Sequence, residues 1–239
     1  MSSPSRSDVV GIDWDARIPA TWLLIAVIVV AHVVTAVLTT VDIELWRALL
    51  LDRSVRFRVL AGGQYRVLVD SGEVWRLFTS VLLHGDGLHL LVNAVALGSL
   101  GRVLEPWVGS MRWLAWFWIG GIGGSLMSQW AQVAQSDGAS GGAFALLGAA
   151  AVLAWRIRDR IHPSEKKLLG PVLWVFVALN VVLSFALPFV DAAGHVGGLL
   201  CGLVLGAVAR PLQPRRGTGV AATVFVVGCF GVCAVGWLG

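Results

Sequence analysis

Residues 192–209, Ala-Ala-Gly-His-Val-Gly-Gly-Leu-Leu-Cys-Gly-Leu-Val-Leu-Gly-Ala-Val-Ala, form an uncharged stretch between Asp191 and Arg210. An α-helix rises about 1.5 Å per residue and the hydrocarbon core of a bilayer is about 30 Å thick, so roughly 17–25 apolar residues can cross it. The stretch is therefore long enough to span a membrane. It also holds one histidine, His195, close to its first residue.

Six more runs of the chain lack charge in the same way, at residues 18–41, 87–101, 113–136, 138–155, 168–190 and 217–239. The run 87–101 is short, but it reaches Leu104 if the Arg102 side chain extends to the membrane interface. The chain is 57% hydrophobic and 13% charged, with a mean hydropathy of +0.80. Soluble domains are about 25% charged. We therefore predict an all-α polytopic membrane protein with seven candidate spans.

The charges between the runs predict the orientation and the domain boundaries. Lys and Arg are retained in cytoplasmic loops, and twelve of the 18 fall on one side if the N-terminus is cytoplasmic. We expect a cytoplasmic tail at 1–17, a membrane-embedded core at 18–210 with an outer loop at 42–86, and a linker with the last span at 211–239. The expected location is the cell membrane, and we expect the first run to be an uncleaved anchor.

The outer loop 42–86 is the only sizeable segment expected outside the membrane. Residues 43–51 have the pattern of a short interfacial helix. Residues 55–59 and 65–67 alternate in polarity around Gly62-Gly63, which is typical of a β-hairpin. Because the basic residues are scattered over both sides of the bilayer, we predict no nucleic-acid partner.

Four polar residues lie inside the apolar runs, just beyond the acidic residues at their outer ends: His89, Asn93, Ser140 and His195. With the predicted orientation all four lie at about 5–10 Å depth, on the same side of the membrane. Polar groups in such positions are functional candidates. A single histidine is more often a packed, hydrogen-bonded residue, and His32, alone in the first run, is interpreted in that way.

The roles of these four residues are complementary. Ser140 begins a helix within Gly138-Ala139-Ser140-Gly141-Gly142. The unpaired backbone N–H groups at the start of a helix favour a nearby anion, and this setting suits a nucleophile. His195 can serve as the general base, and Phe144 can stack on its ring. His89 and Asn93 can donate to an oxyanion. Small residues spaced by four predict close packing of the two helices that carry Ser140 and His195: Gly141, Ala145 and Ala149 on the first, and Gly194, Gly198, Gly202 and Gly206 on the second.

Several motifs together resemble the rhomboid intramembrane serine proteases over residues 18–210. They are Gly138-Ala139-Ser140-Gly141, His89-x-x-x-Asn93, Gly194-His195-x-x-Gly198 and Gly72-Glu73-Val74-Trp75-Arg76. The resemblance implies a core of six helices, with the run 217–239 as a seventh, C-terminal transmembrane helix. It also implies a catalytic dyad of Ser140 and His195, with oxyanion stabilisation by His89, Asn93 and the Ser140 N–H. It places Phe144, often tyrosine in relatives, with Gly138 and Gly198 in the packing around the substrate and the histidine ring. Glu105 and Arg112 resemble structural residues that brace the first loop.

The implied reaction is hydrolysis of a peptide bond in the transmembrane segment of another membrane protein, within the lipid bilayer. Substrates would enter past the span 168–190, with the turn at 188–194 as a cap. Asp191 can in principle orient His195, but a turn role is favoured. We predict no metal and no cofactor, since no His-Glu-x-x-His motif occurs. The oligomeric state is left open, and so are two alternatives, a transporter and a non-catalytic rhomboid relative that binds transmembrane clients.

Overall fold

The computed structural model describes residues 12, 15–38, 44–51, 55–188 and 190–209. The α-helices of this part are α1 Pro19–Leu38, α2 Leu45–Leu50, α3 Val55–Leu60, α4 Arg66–Asp70, α5 Arg76–Thr79, α6 Gly87–Val108, α7 Ser110–Trp130, α8 Ser140–Arg156, α9 Leu173–Ala186 and α10 Ala192–Val208. A 3-10 turn covers Ser80–Leu82 and a π-helical turn covers Leu168–Val172. The predicted seventh helix at 217–239 lies outside the described residues, as does most of the predicted tail 1–17.

The prediction of a mainly helical membrane protein is confirmed. α1, α6 and the segment Leu168–Ala186 are each long and apolar enough to cross a membrane, while α8 and α10 are shorter apolar helices. α6 runs to Val108, beyond the predicted end of its span, because the side chain of Glu105 is buried within protein contacts rather than in lipid.

Glu105 links the end of α6 to the start of α1. Its carboxylate accepts hydrogen bonds from the backbone N–H groups of Ala20 (3.0 Å) and Thr21 (2.9 Å), and from the hydroxyls of Thr21 and Ser110 (both 2.6 Å). The first N–H groups of a helix have no partner within the helix. Glu105 therefore caps α1 from a neighbouring helix, which explains how a carboxylate is tolerated in the buried interior of the bundle.

α8 is the central helix of the bundle, and 13 of its 17 residues are buried. A methyl group on Gly198, Gly202 or Gly206 of α10 would collide with the backbone of α8 at Gly141, Ala145 and Ala149 respectively. The close approach predicted from the small residues is thus confirmed for these three glycines. Gly194 differs, because a methyl group there would meet the Asp191 carboxylate (2.7 Å) and Ser128 Oγ of α7 (2.9 Å) rather than the backbone of α8.

The hairpin predicted around Gly62-Gly63 is wrong. Residues Val55–Leu60 form helix α3, and strand β1 (Gln64–Tyr65) pairs antiparallel with β2 (Gln135–Ser136), far along the chain. The Arg76 guanidinium donates to the carbonyls of Val59 (2.5 Å) and Gly63 (3.1 Å), which holds the glycine turn against α5. The glycines therefore join a helix to a strand, while the predicted short helix at 43–51 is present as α2.

Candidate active site

Ser140 is the first residue of α8, immediately after a glycine turn. Gly138 has φ of +136°, a conformation that L side chains rarely adopt, and its N–H donates to the Ser80 carbonyl at 3.0 Å. This turn ends strand β2 and starts the helix, so the backbone N–H of Ser140 is among those without a partner inside α8. The sequence Gly-Ala-Ser-Gly thus places a hydroxyl beside free N–H groups at the positive end of a helix.

The His89 ring lies against this turn. A methyl group on Gly138 would lie 2.8 Å from His89 Cε1, 2.9 Å from His89 Nε2 and 3.8 Å from Ser140 Oγ. The imidazole of α6 and the hydroxyl of α8 therefore flank the same α-carbon. Only glycine fits here, because the backbone conformation and the space both exclude a side chain.

His89 and Asn93 are held by the start of α6. The Asp86 carboxylate accepts from the His89 N–H at 2.7 Å and so caps the helix. The buried Asn93 amide donates through Nδ2 to the His89 carbonyl at 2.9 Å. An amide nitrogen carries two hydrogens, so Asn93 keeps one further donor.

His195 lies in the first turn of α10 and stacks on Phe144 of α8. The ring centroids are 4.1 Å apart and the planes are inclined by 19°. Phe144 lies one helical turn after Ser140, and the Gly141–Gly198 backbone contact lies beside it. The three helices α6, α8 and α10 thus bring His89, Ser140 and His195 to one end of the bundle.

No hydrogen bond joins Ser140 Oγ to the His195 imidazole among the residues that the structure describes. The His195 Nδ1 atom instead lies 2.6 Å from Ser184 Oγ of α9. Catalytic hydrogen bonds are often long in substrate-free enzymes and shorten when the substrate is bound. The arrangement therefore leaves the second ring nitrogen, Nε2, as the one available for Ser140.

Asp191 is occupied elsewhere. Its carboxylate accepts from the Gly194 N–H at 2.9 Å, which caps α10, and from the Ser128 hydroxyl of α7. These bonds agree with the favoured interpretation of Asp191 as a turn residue. They fix the start of α10, and with it the position of His195, against α7.

Two residues near the site were not singled out in the sequence. The buried His84 lies edge-on to His89 with ring centroids 5.0 Å apart, and Ser184 contacts His195. A signal for Ser184 exists in the sequence, since Asn180 and Ser184 are polar residues four apart in a span that is otherwise apolar. His32, interpreted as structural, lies with Nε2 2.9 Å from the Leu49 carbonyl.

Comparison with known proteins identifies the family. The sequence model of the Rhomboid domain matches residues 71–212, which include all of the helices α6 to α10. The chain belongs to the rhomboid family. This match covers the four polar residues, Gly138 and the glycines of α8 and α10.

Individual relatives agree with this assignment. The chain is 40% identical to RHOMBOID-like protein 5 of Arabidopsis thaliana over 65% of its length and 50% of the relative. It is 33% identical to the rhomboid protease GluP of Bacillus subtilis over 75% of its length and 34% of the relative. It is 28% identical to Rhomboid-like protease 3 of Toxoplasma gondii over 82% of its length and 70% of the relative. The chain thus spans half of the first of these proteins and a third of the second.

Proposed function

We propose that this rhomboid is an intramembrane serine endopeptidase in which Ser140 is the nucleophile and His195 is the general base. In the first step Ser140 Oγ attacks the carbonyl carbon of a substrate peptide bond while its proton passes to His195 Nε2. The C–N bond then breaks, the imidazolium returns the proton to the leaving amine, and an acyl ester on Ser140 remains. Water, deprotonated by the same imidazole, hydrolyses the ester and restores the free hydroxyl.

The tetrahedral intermediate carries its negative charge on the former carbonyl oxygen. We assign its stabilisation to the Ser140 N–H, the His89 ring and the second Asn93 hydrogen, which approach from two helices. Loss of one such donor typically lowers the rate by about 100- to 1,000-fold. The Gly138 turn, against which the His89 ring packs, sets the distance between these donors and the nucleophile.

We further propose that residues 18–210 form the catalytic core, with the tail 1–17 cytoplasmic and the seventh helix at 211–239 added after it. The protein would be a multi-pass protein of the cell membrane, with Ser140 near the outer face and open to water. Transmembrane protein segments are its proposed substrates. They would enter at α9, where Val177 and Ser184 are buried, Leu173, Asn180 and Val181 are half-buried, and the other residues are exposed.

The observation that best supports the proposal is the packing of α8 on α10. It sets the Phe144 ring on the His195 ring, one helical turn from Ser140, through glycine contacts that lock the spacing. A non-catalytic relative that binds transmembrane clients is the second candidate, because the lightly packed α9 also suits a binding groove. A non-catalytic protein would place no demand on the serine hydroxyl.

The test is cleavage by the full chain in phosphatidylethanolamine–phosphatidylglycerol liposomes. The probe is a quenched fluorescent peptide with a transmembrane helix that carries Ala-Gly in its outer third. We expect cleavage by the wild type and none by Ser140→Ala or His195→Ala. Ser99→Ala is the matched control, because Ser99 Oγ lies on an exposed face of α6 and, among the residues that the structure describes, bonds the Val95 carbonyl alone (2.9 Å). Equal cleavage by Ser140→Ala and Ser99→Ala would refute the proposed protease activity of Ser140.

A further inference from the structure

The buried hydroxyl of Ser184 on α9 is the direct neighbour of His195 Nδ1. Ser184 Oγ lies 2.6 Å from this nitrogen and 2.7 Å from the Asn180 carbonyl oxygen of its own helix, and the residue is 4% exposed. The Asp191 carboxylate is bonded instead to Gly194 and Ser128. Ser184 is therefore the group that decides how the His195 ring is held at this edge.

The positions of the protons follow from the chemistry of these three groups. A carbonyl oxygen only accepts hydrogen bonds, whereas a hydroxyl has one proton to donate and lone pairs to accept. The Ser184 proton must therefore point to the Asn180 oxygen, since two facing lone pairs at 2.7 Å would repel. The hydroxyl oxygen then accepts from His195, so Nδ1 carries the ring proton.

From this geometry we infer that Ser184 is a positioning residue that holds His195 in the Nδ1–H tautomer with Nε2 free for the Ser140 proton. The inference rests on the proposed function. A neutral imidazole has one N–H and one lone pair, and a general base needs the lone pair directed at the nucleophile. Without an acceptor at Nδ1, the proton can sit on either nitrogen and part of the enzyme has the wrong tautomer.

Phe144 and Ser184 fix different motions of the same ring. The near-parallel stack on Phe144 fixes the plane of the His195 ring. A rotation of 180° about the Cβ–Cγ bond exchanges Nδ1 and Cδ2 but returns the ring to the same plane, so the stack is preserved. The hydrogen bond from Nδ1 selects one edge, because only that edge faces the hydroxyl. After proton transfer the imidazolium keeps the same Nδ1–H bond, so Ser184 need not move during the reaction.

The experiment uses the full chain in the liposomes described above, with two readouts. The first is the rate at which a fluorescent fluorophosphonate labels Ser140, where the O–P bond forms, the P–F bond breaks and His195 takes the proton. The second is kcat and KM for the quenched peptide. Because one hydrogen bond contributes about 0.5–1.5 kcal/mol, we expect Ser184→Ala to lower the labelling rate and kcat by about 2- to 12-fold. KM should stay within about twofold, because no contact with substrate is proposed for Ser184.

A matched pair of variants separates hydroxyl chemistry from packing. Ser184→Thr and Ser184→Val have nearly the same shape, but only threonine keeps the hydroxyl and its bond to the carbonyl four residues earlier. We expect Thr to exceed Val by the same factor in both readouts, with Ser99→Ala equal to wild type. Equal rates for Thr and Val, or for Ser184→Ala and Ser99→Ala, would overturn the inference. Labelling of Ser140→Ala at the wild-type rate would instead refute the proposed function.

Discussion

The contact between Gly198 and Gly141 makes a sharp prediction, because it sets the distance between the helices that carry His195 and Ser140. In Gly198→Ala the new methyl group would overlap the Gly141 carbonyl oxygen and lie 2.8 Å from its carbonyl carbon and 3.0 Å from its Cα. All three are backbone atoms, which have no rotamer by which to move aside. α8 and α10 must therefore separate.

The size of the effect follows from these distances. Ordinary contacts of a Cβ atom are 3.4–4 Å, so clearing the Gly141 carbonyl oxygen, the tightest of the three contacts, would require the two helices to separate by roughly 1 Å or more. Overpacking of this kind costs about 1–3 kcal/mol of stability. A displacement of about 1 Å between reacting groups can lower a rate by about 100-fold. We therefore expect a folded protein with a lower melting temperature and about 100-fold less cleavage.

The assay is the initial rate of peptide cleavage in liposomes, together with the melting temperature in detergent. Gly98→Ala is the matched control, since its methyl group would meet only Ile25 Cδ1 at 3.9 Å. Gly202→Ala adds a second comparison, because its methyl group would overlap the Ala145 carbonyl oxygen to the same extent, one helical turn further from His195 along α10. It should destabilise as much as Gly198→Ala but slow cleavage less. Wild-type cleavage by Gly198→Ala would refute the reasoning.

Three further substitutions have distinct expected outcomes. Gly138→Ala should abolish cleavage, because the methyl group would strain a backbone at φ +136° and displace the His89 ring; activity and melting temperature measure this. Glu105→Ala should lower the free energy of unfolding by about 3 kcal/mol, because buried N–H and hydroxyl groups lose their acceptor; thermal unfolding checks it, and an unchanged melting temperature would contradict it. Asp191→Ser should keep the α10 cap, because serine is also a good N-cap residue, and should keep most of the cleavage activity. A loss of activity of about 10⁴-fold would instead indicate that Asp191 acts with His195 as the third member of a catalytic triad.

Much of the helical fold could be predicted from the sequence, because a span is a local property of the chain. The uncharged runs 138–155 and 192–209 correspond to α8 and α10 within a residue or two, since charges mark where each helix leaves the apolar layer. The predicted end of the second span, Leu104, falls short of the end of α6 at Val108, because the charge at Glu105 does not mark the end of this helix. Glu105 is buried through bonds to α1, a long-range arrangement that a local charge pattern does not reveal.

Long-range contacts also determine the structure of the outer loop, where the local sequence pattern is misleading. Alternation in residues 55–59 predicted a strand, but hydrogen bonds from Arg76 and the pairing of β1 with β2 come from distant segments and override it. Short alternating segments are compatible with either a strand or one turn of helix. Without knowledge of those partners, the sequence favours the wrong element.

The candidate site could be predicted in its residues but not in its connections. The spacing of Ser140 and Phe144 on one helix face, and the small residues of α10, indicate which groups approach each other. The contact of Ser184 with His195 depends on how α9 packs on α10. The turn that places His89 against Gly138 likewise depends on three segments meeting at one point.

The central claim is that Ser140 is a nucleophile activated by His195. It is tested most directly by mass spectrometry of the full chain after treatment with the fluorophosphonate in liposomes. We expect a single phosphonyl adduct on the peptide that contains Ser140, and no adduct in His195→Ala. An adduct on a different serine, or the same Ser140 adduct formed at the same rate without His195, would contradict the claim.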